Sequence, residues 1–254
     1  MELKDKVIVV TGGASGIGKE MCRRFAREGA KKVIVADLNG EGAAAVAAEF
    51  GGHSMAVDVR KESEIVELIN ATEVQFGPID LFCSNAGIGI GKNIDEPDEV
   101  WQTIWEVNTM AHVWAARHLV PLMIARGGGY LLNTSSAAGL LNQIGSVTYA
   151  VTKHAAVALA EWLSITYGDQ GIKVSVLCPQ AVNTPLVAGG AGVAGVDGMI
   201  EPEVAVEAVV ETLREEKFLV LPHPEVAEYM KRKAADYDRW LKGMRRLQSQ
   251  YVKD

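Results

Sequence analysis

Short apolar runs alternate with longer stretches of helical period from the start of the chain. Val7, Ile8, Val9 and Val10 precede a helical pattern over 17–28; Val33, Ile34, Val35 and Ala36 precede another over 41–50. The rhythm continues with strands at 54–57, 79–83, 130–133 and 172–177 and helical segments at 62–76, 100–125 and 149–167. Breakers fall between them: Gly29 ends the first helix, Gly77 and Pro78 end another, and Gly127, Gly128 and Gly129 precede the fifth strand.

Strands that are apolar throughout are buried on both faces, which points to a parallel sheet between helical layers. With right-handed crossovers this predicts an α/β fold, a Rossmann-like doubly wound parallel sheet of about seven strands, with residues 1–254 as a single domain. Two stretches stand apart. Residues 186–199 are nearly all Gly, Ala and Val, with Asp197 the only charge, and predict a mobile substrate lid near 185–202. A helical extension near 224–250 places Val226, Met230, Tyr237, Leu241 and Met244 at near-helical spacing among Lys231, Arg232, Arg239, Arg245 and Arg246. Its expected role is packing against its own sheet or a sister subunit.

Composition narrows the partners. With 48% hydrophobic and 22% charged residues the chain reads as soluble and globular, and its net charge of -7 disfavours a phosphate backbone, so nucleic acid is set aside. Cys22, Cys83 and Cys178 are widely separated and lie in apolar stretches, reading as buried free thiols. The five histidines show neither an H-E-x-x-H pattern nor an i, i+4 pair, so no metal is expected. Neither a signal-peptide core nor a membrane span is present, and a cytoplasmic protein is expected.

The turn between the first strand and helix runs from Thr11 to Gly18. Gly12, Gly16 and Gly18 permit a tight bend and let backbone approach a pyrophosphate at a helix N-terminus. Asp37 ends the second strand nineteen residues after Gly18, where a carboxylate can accept hydrogen bonds from ribose hydroxyls. The same charge repels a 2′-phosphate, and neither Ser15 nor Leu38 is basic, so NAD(H) is favoured over NADP(H).

Tyr149 and Lys153 sit four apart at the start of a helix, on one face. A nearby ammonium is expected to lower the phenol's pKa, as a tyrosine working as acid and base requires. Tyr229 and Lys233 repeat the spacing, so spacing alone is uninformative. Ser136 lies thirteen residues before Tyr149, whereas Glu216 holds that place before Tyr229.

Together, 11–18, Asp37, Asp58, Val59, Asn85, Ala86, Gly87, Asn108, Ser136, Tyr149, Lys153 and 179–184 resemble the short-chain dehydrogenases/reductases, in order and over nearly the whole chain. The resemblance implies Tyr149 as proton donor or acceptor, Ser136 as the hydroxyl on the carbonyl oxygen, and Lys153 as the residue that binds the nicotinamide ribose and tunes Tyr149. Asn108 would hold a water in the proton relay. The implied cofactor set is Gly12, Ser15, Gly16, Ile17 and Gly18, then Asp37 and Leu38, with Asp58 and Val59 at the adenine. Asn85, Ala86 and Gly87 would line the cleft, with Pro179 beyond them and Val182 and Thr184 at the carboxamide. A homotetramer or homodimer is also implied. Two positions depart from the family pattern. Ser84 replaces a frequent asparagine, and Gln180 stands where glycine usually follows Pro179, which leaves the local backbone shape open.

Leu140, Leu141, Gln143 and Val147, with Leu186, Val187 and Met199 of the lid, are expected to face the substrate. Mostly apolar, they suit a hydrophobic secondary alcohol or ketone of alicyclic, terpenoid or steroid-like shape. Two other readings stay open. A 3-oxoacyl thioester is disfavoured because 217–222 passes into a helix, where reductases of carrier-bound acyl groups often end in a glycine-terminated strand. A catalytically silent NAD-binding sensor is disfavoured by the intact Ser136, Tyr149 and Lys153.

Overall fold

Seven strands form one sheet in the order β3-β2-β1-β4-β5-β6-β7, every neighbouring pair parallel. They are β1 (Val7–Thr11), β2 (Lys32–Asp37), β3 (His53–Ala56), β4 (Leu81–Ser84), β5 (Gly129–Thr134), β6 (Ile172–Leu177) and β7 (Leu219–Val220). The computed structural model describes residues 1–251; the last three lie outside the described residues. The chain winds outward from β1 to β3, then returns to place β4 on the other side of β1. The direction of winding reverses there, and a crevice opens beyond the carboxyl ends of β1 and β4.

Alternate residues of each strand feed two cores. Val7 and Val9 join one cluster with Ile65 and Leu68 of α3 (Glu62–Phe76), Leu119 of α5 (Ala111–Ala125) and Leu163 of α7 (Val147–Tyr167). Ile8 and Val10 join the other with Met21 and Phe25 of α1 (Gly16–Arg27), Val46 of α2 (Gly40–Ala48) and Val209 of α8 (Pro202–Glu215). Both faces of β1 are therefore dry, which is why its residues are apolar without interruption.

Several boundaries differ from the sequence reading. The helical region expected over 100–125 is α4 (Asp98–Trp105) and α5, joined by a π-helical segment, Glu106–Met110. β4 begins at Leu81, not at 79, because Asp80 bonds sideways to β1, accepting from the Val7 N–H at 2.8 Å and from Lys6 Nζ at 3.1 Å. A one-turn helix, α6 (Ala138–Leu141), follows β5. The lid is more ordered than its composition suggests. It carries 3-10 turns at Pro185–Val187 and Gly192–Gly195, and Val182 pairs with Ile200.

The C-terminal extension is two helices, α9 (Glu225–Ala235) and α10 (Tyr237–Tyr251). Asp236 breaks them with extended backbone and caps the second by accepting the Arg239 N–H at 2.9 Å. The pair folds back over α6, where Val226, Tyr229, Met230 and Trp240 pack on Ala137, Leu140 and Leu141. Its apolar stripe thus covers the end of the sheet that carries the candidate site. Among the described residues, no helix is long and apolar enough to cross a membrane, and no cluster of ligating side chains could hold a metal ion.

Candidate active site

The β1–α1 turn closes on itself. Gly12 and Gly16 have φ of 67° and 52°, left-handed angles that favour glycine, and a Cβ on Gly18 would collide with the Gly12 carbonyl oxygen. At its far side, a Cβ on Gly16 would stand 2.9 Å from Thr184 Cγ2, which packs Thr184, just ahead of the lid, directly against the turn. Asp37 lies beside the turn, accepting the Ala14 N–H at 3.0 Å and the Asn39 N–H at 2.9 Å. Leu38 is exposed beyond it.

Asn85 ties the strand ends together. Its Nδ2 donates to the Thr11 carbonyl at 3.0 Å, its Oδ1 accepts from Thr134 Oγ1 at 3.1 Å, and its N–H, with that of Ala86, meets Thr11 Oγ1 at 3.0 and 3.1 Å. The three central strands β1, β4 and β5 are thus laced at the crevice. Asp58 and Val59 are buried at the end of β3, with the Asp58 carboxylate held by Arg60 at 2.8 Å; that hydrogen bond keeps it below the usual carboxylate range.

Ser136 follows β5 and is buried. Its Oγ donates to the Pro179 carbonyl at 3.3 Å and accepts the Ala138 N–H at 3.1 Å. Tyr149 stands on the first turn of α7. Lys153, one turn on and 3% exposed, donates from Nζ to the Thr134 carbonyl at 3.0 Å and lies 5.5 Å from the Tyr149 ring centroid. Gly87 joins these parts, since a Cβ there would stand 3.3 Å from Lys153 Nζ and 3.5 Å from Asn108 Oδ1.

Electrostatics here differ from the sequence expectation. Burial holds the Tyr149 phenol above its ordinary pKa, with the Ser136 hydroxyl pulling the other way. Burial also brings Lys153 down from 10.5 to about 8. The ammonium is turned toward Thr134 and does not offset the cost of a buried phenolate, so the protein by itself holds Tyr149 as a neutral acid. His112 is neutral too, its pKa near 3 through burial and the Lys153 charge.

Asn108 lies in the π-helical segment and is fully buried. Its side chain is already engaged, accepting the Ile88 N–H at 2.9 Å and donating to the Ile88 carbonyl at 2.9 Å and Thr152 Oγ1 at 3.3 Å. It straps the segment that follows β4 to α7, with one lone pair of Oδ1 left over. Gln180 needs no glycine geometry, as its φ is not positive, and its side chain anchors the lid through Asp197 at 2.9 Å.

A cavity of about 730 Å³ opens over Ser136. Of the expected substrate residues, Leu141 and Gln143 line it. Leu140 instead packs beneath α9, Val147 begins α7, Leu186 sits between Gly89 and solvent near Tyr149, and Val187 and Met199 lie outside the lining. The far wall comes from residues the sequence reading did not place there, including Tyr229, Trp240 and Met244. Their helical spacing was visible, but not the fold-back that aims them at Ser136.

The sequence profile of the short chain dehydrogenases matches residues 6–190. A 1-deoxy-11-beta-hydroxypentalenate dehydrogenase of Streptomyces exfoliatus is 38% identical over 229 residues, covering 86% of this chain and 83% of that protein. Epidermal retinol dehydrogenase 2 of Homo sapiens is 31% identical over 229 residues, 85% of this chain and 74% of its own. The crystal structure of a 3-ketoacyl-(acyl-carrier-protein) reductase from Brucella melitensis, complexed with NADH, superposes with a TM-score of 0.79 at 28% identity, over 86% of this chain and 96% of that one. With its seven-stranded parallel sheet and its Ser136, Tyr149 and Lys153 gathered at one crevice, the chain belongs to the short chain dehydrogenase family, nicotinamide-dependent oxidoreductases acting on CH–OH groups.

Proposed function

We propose that the protein interconverts a hydrophobic secondary alcohol and its ketone with NAD(H) in preference to NADP(H). The observation that carries this is Tyr149 set between Ser136, whose hydroxyl acts on its phenol and lines a largely apolar cavity, and Lys153, whose Nζ lies 5.5 Å from its ring and beside Gly87. The two dehydrogenases compared above are named for a hydroxylated pentalenate and for retinol, in keeping with such a substrate.

The residues fit a nicotinamide dinucleotide. The turn of Gly12, Ser15, Gly16, Ile17 and Gly18, packed too closely on Ala86, Thr184 and itself for side chains at its glycines, presents backbone at the N-terminus of α1 where a pyrophosphate would bind, and Asp37, with Leu38 beside it, would take the adenosine ribose. Asp58 and Val59 border the adenine end; Ala86, Gly87, Pro179, Val182 and Thr184 border the nicotinamide end. Lys153 spends one N–H on Thr134 and keeps two for ribose hydroxyls.

When bound, the nicotinamide supplies or accepts the hydride. The chain's own groups manage the proton and the charge. In reduction, Tyr149 gives its phenolic proton to the substrate oxygen while Ser136 Oγ turns from the Pro179 carbonyl to donate to that oxygen. In oxidation, the same two groups receive the alcohol, and Tyr149, having first released its phenolic proton to solvent, takes the proton of the alcohol as a phenolate. Asn108 holds the Ile88 segment beside Lys153, a positioning role.

The enzyme works as a homodimer or homotetramer, a reading supported by Trp162 and Ile165 on α7 and Leu122 on α5, which leave large apolar side chains in solvent. Its three cysteines are free and buried, in keeping with the cytoplasm. The test is NADH formation with a size-graded panel of secondary alcohols, using wild type and Asp37→Ala. Wild type is expected to use NAD at least about tenfold better than NADP, and the variant to lose most of that gap. Equal use of both cofactors by wild type would refute the assignment to Asp37.

A further inference from the structure

The cavity over Ser136 carries charge that hydride transfer does not use. Most of its wall is apolar, with Leu141, Val193 and Val196 facing Trp240, Met244 and Leu247. Into that wall the C-terminal helices set three arginines, Arg232 on α9 and Arg239 and Arg246 on α10. Arg239 and Arg246 are seven residues apart, two turns along the helix face that also presents Trp240, Gly243, Met244 and Leu247 to the cavity. Arg245 and Lys242 of the same helix lie outside the lining.

Arg232 is bonded to Glu228 at 3.3 Å. Arg239 and Arg246 form no ion pair among the described residues. The one carboxylate in the lining, Asp236, accepts the Arg239 backbone N–H and not its guanidinium. Among the described residues, a chain of net charge -7 thus keeps two guanidinium groups without an ion-pair partner on one wall of this cavity. All three arginines lie beyond residues 6–190, the span matched by the family profile.

We propose that the substrate is a hydrophobic secondary alcohol carrying a carboxylate remote from the reacting carbon, held by Arg239 and Arg246. This rests on reading Ser136 and Tyr149 as the alcohol site. A guanidinium fork donates two parallel N–H bonds to a carboxylate, and the two arginines, exposed at the rim of the apolar wall, would hold the acid end while the hydrocarbon lies inside. The space between the two ends suits a hydrocarbon skeleton and not the amide-bearing arm of a carrier thioester. Most of its polar side chains are already tied into the protein, Tyr229 and Gln180 donating to Asp197 and Gln143 to the Ile144 carbonyl, with Gln180 Oε1 the buried acceptor left without a partner among the described residues.

The test compares hydroxy acids with their methyl esters on cyclohexane, decalin and sterane frameworks, using wild type, Arg239→Gln/Arg246→Gln, Arg239→Lys/Arg246→Lys and Arg245→Gln. For the framework that fits, the acid is expected to exceed its ester by about tenfold or more in kcat/KM. The double glutamine variant should remove that preference by raising the acid's KM to that of the ester. The lysine variant should retain part of it, and Arg245→Gln should change neither. Esters equal to acids on every framework, a preference that survives the double variant, or 3-hydroxybutyryl-CoA outrunning every acid would overturn the proposal.

Calorimetric titration of the NADH-loaded protein with the corresponding deoxy acids and esters decides the same point without turnover. Acid binding that weakens in the double glutamine variant supports the arginine site even if no alcohol reacts, in which case the alcohol reading alone fails. Equal binding of acid and ester overturns the arginine site even if alcohols react.

Discussion

Lys153 shows how a functional side chain can work against the fold that holds it. Its folded pKa of about 8 lies below its ordinary 10.5, so between those values the folded protein binds fewer protons than the unfolded chain, and stability rises with pH. Below about pH 8 the buried ammonium costs roughly 3 kcal/mol, and its hydrogen bond to Thr134 returns about 1 kcal/mol. Lys153→Met is therefore expected to be more stable than wild type at pH 7 by about 2 kcal/mol, with the lead gone by pH 10.5. Urea unfolding followed by circular dichroism at both values checks this. A variant less stable at pH 7 would mean that the ammonium is better solvated than its surroundings indicate. The spacing of Tyr149 and Lys153, with Ser136 thirteen residues ahead, announced the pair. It did not announce that Nζ turns to the Thr134 carbonyl, because that depends on where β5 ends, and so the direction of the Tyr149 shift was not legible in the sequence.

Among the elements, those whose residues face dry surfaces on both sides were the most legible. β6 runs over the residues expected from its apolar run, and the glycine turn lies between the strand and helix expected of it. The π-helical segment was not visible, since a shift to i→i+5 bonding leaves no period in a segment this short. The lid was legible as a loop through its composition but not as an anchored one. Its only charge, Asp197, accepts from Tyr229 Oη at 2.9 Å and from Gln180 Nε2 at 2.9 Å, joining the loop after β6 to α9. Asp197→Ala is expected to raise KM several-fold with a smaller change in kcat, and to hasten proteolytic cutting within 186–199 in the absence of substrate. Unchanged cutting and unchanged KM would show that these two bonds do not hold the lid.

Taken as a whole, the molecule is a sheet that brings distant residues to one crevice. Gly12 follows β1, Asn85 follows β4, Ser136 follows β5 and Pro179 follows β6, all at the same edge, so their order along the chain was enough to bring them together. The substrate chamber was only half legible for the opposite reason. Its near wall follows β5, but its far wall is α9 and α10, whose place depends on the packing of Val226 and Trp240 over α6. Amphipathic spacing shows that a helix has a partner without showing which one.

On the function proposed above, Tyr149 is the residue that moves the proton in a working oxidoreductase. NADH absorbance during turnover of the alcohol panel, in wild type and Tyr149→Phe, tests it most directly, with NADH binding measured in both. In the variant, kcat is expected to fall by about 10²-fold or more with NADH affinity retained. A variant that turns over at the wild-type rate would contradict it.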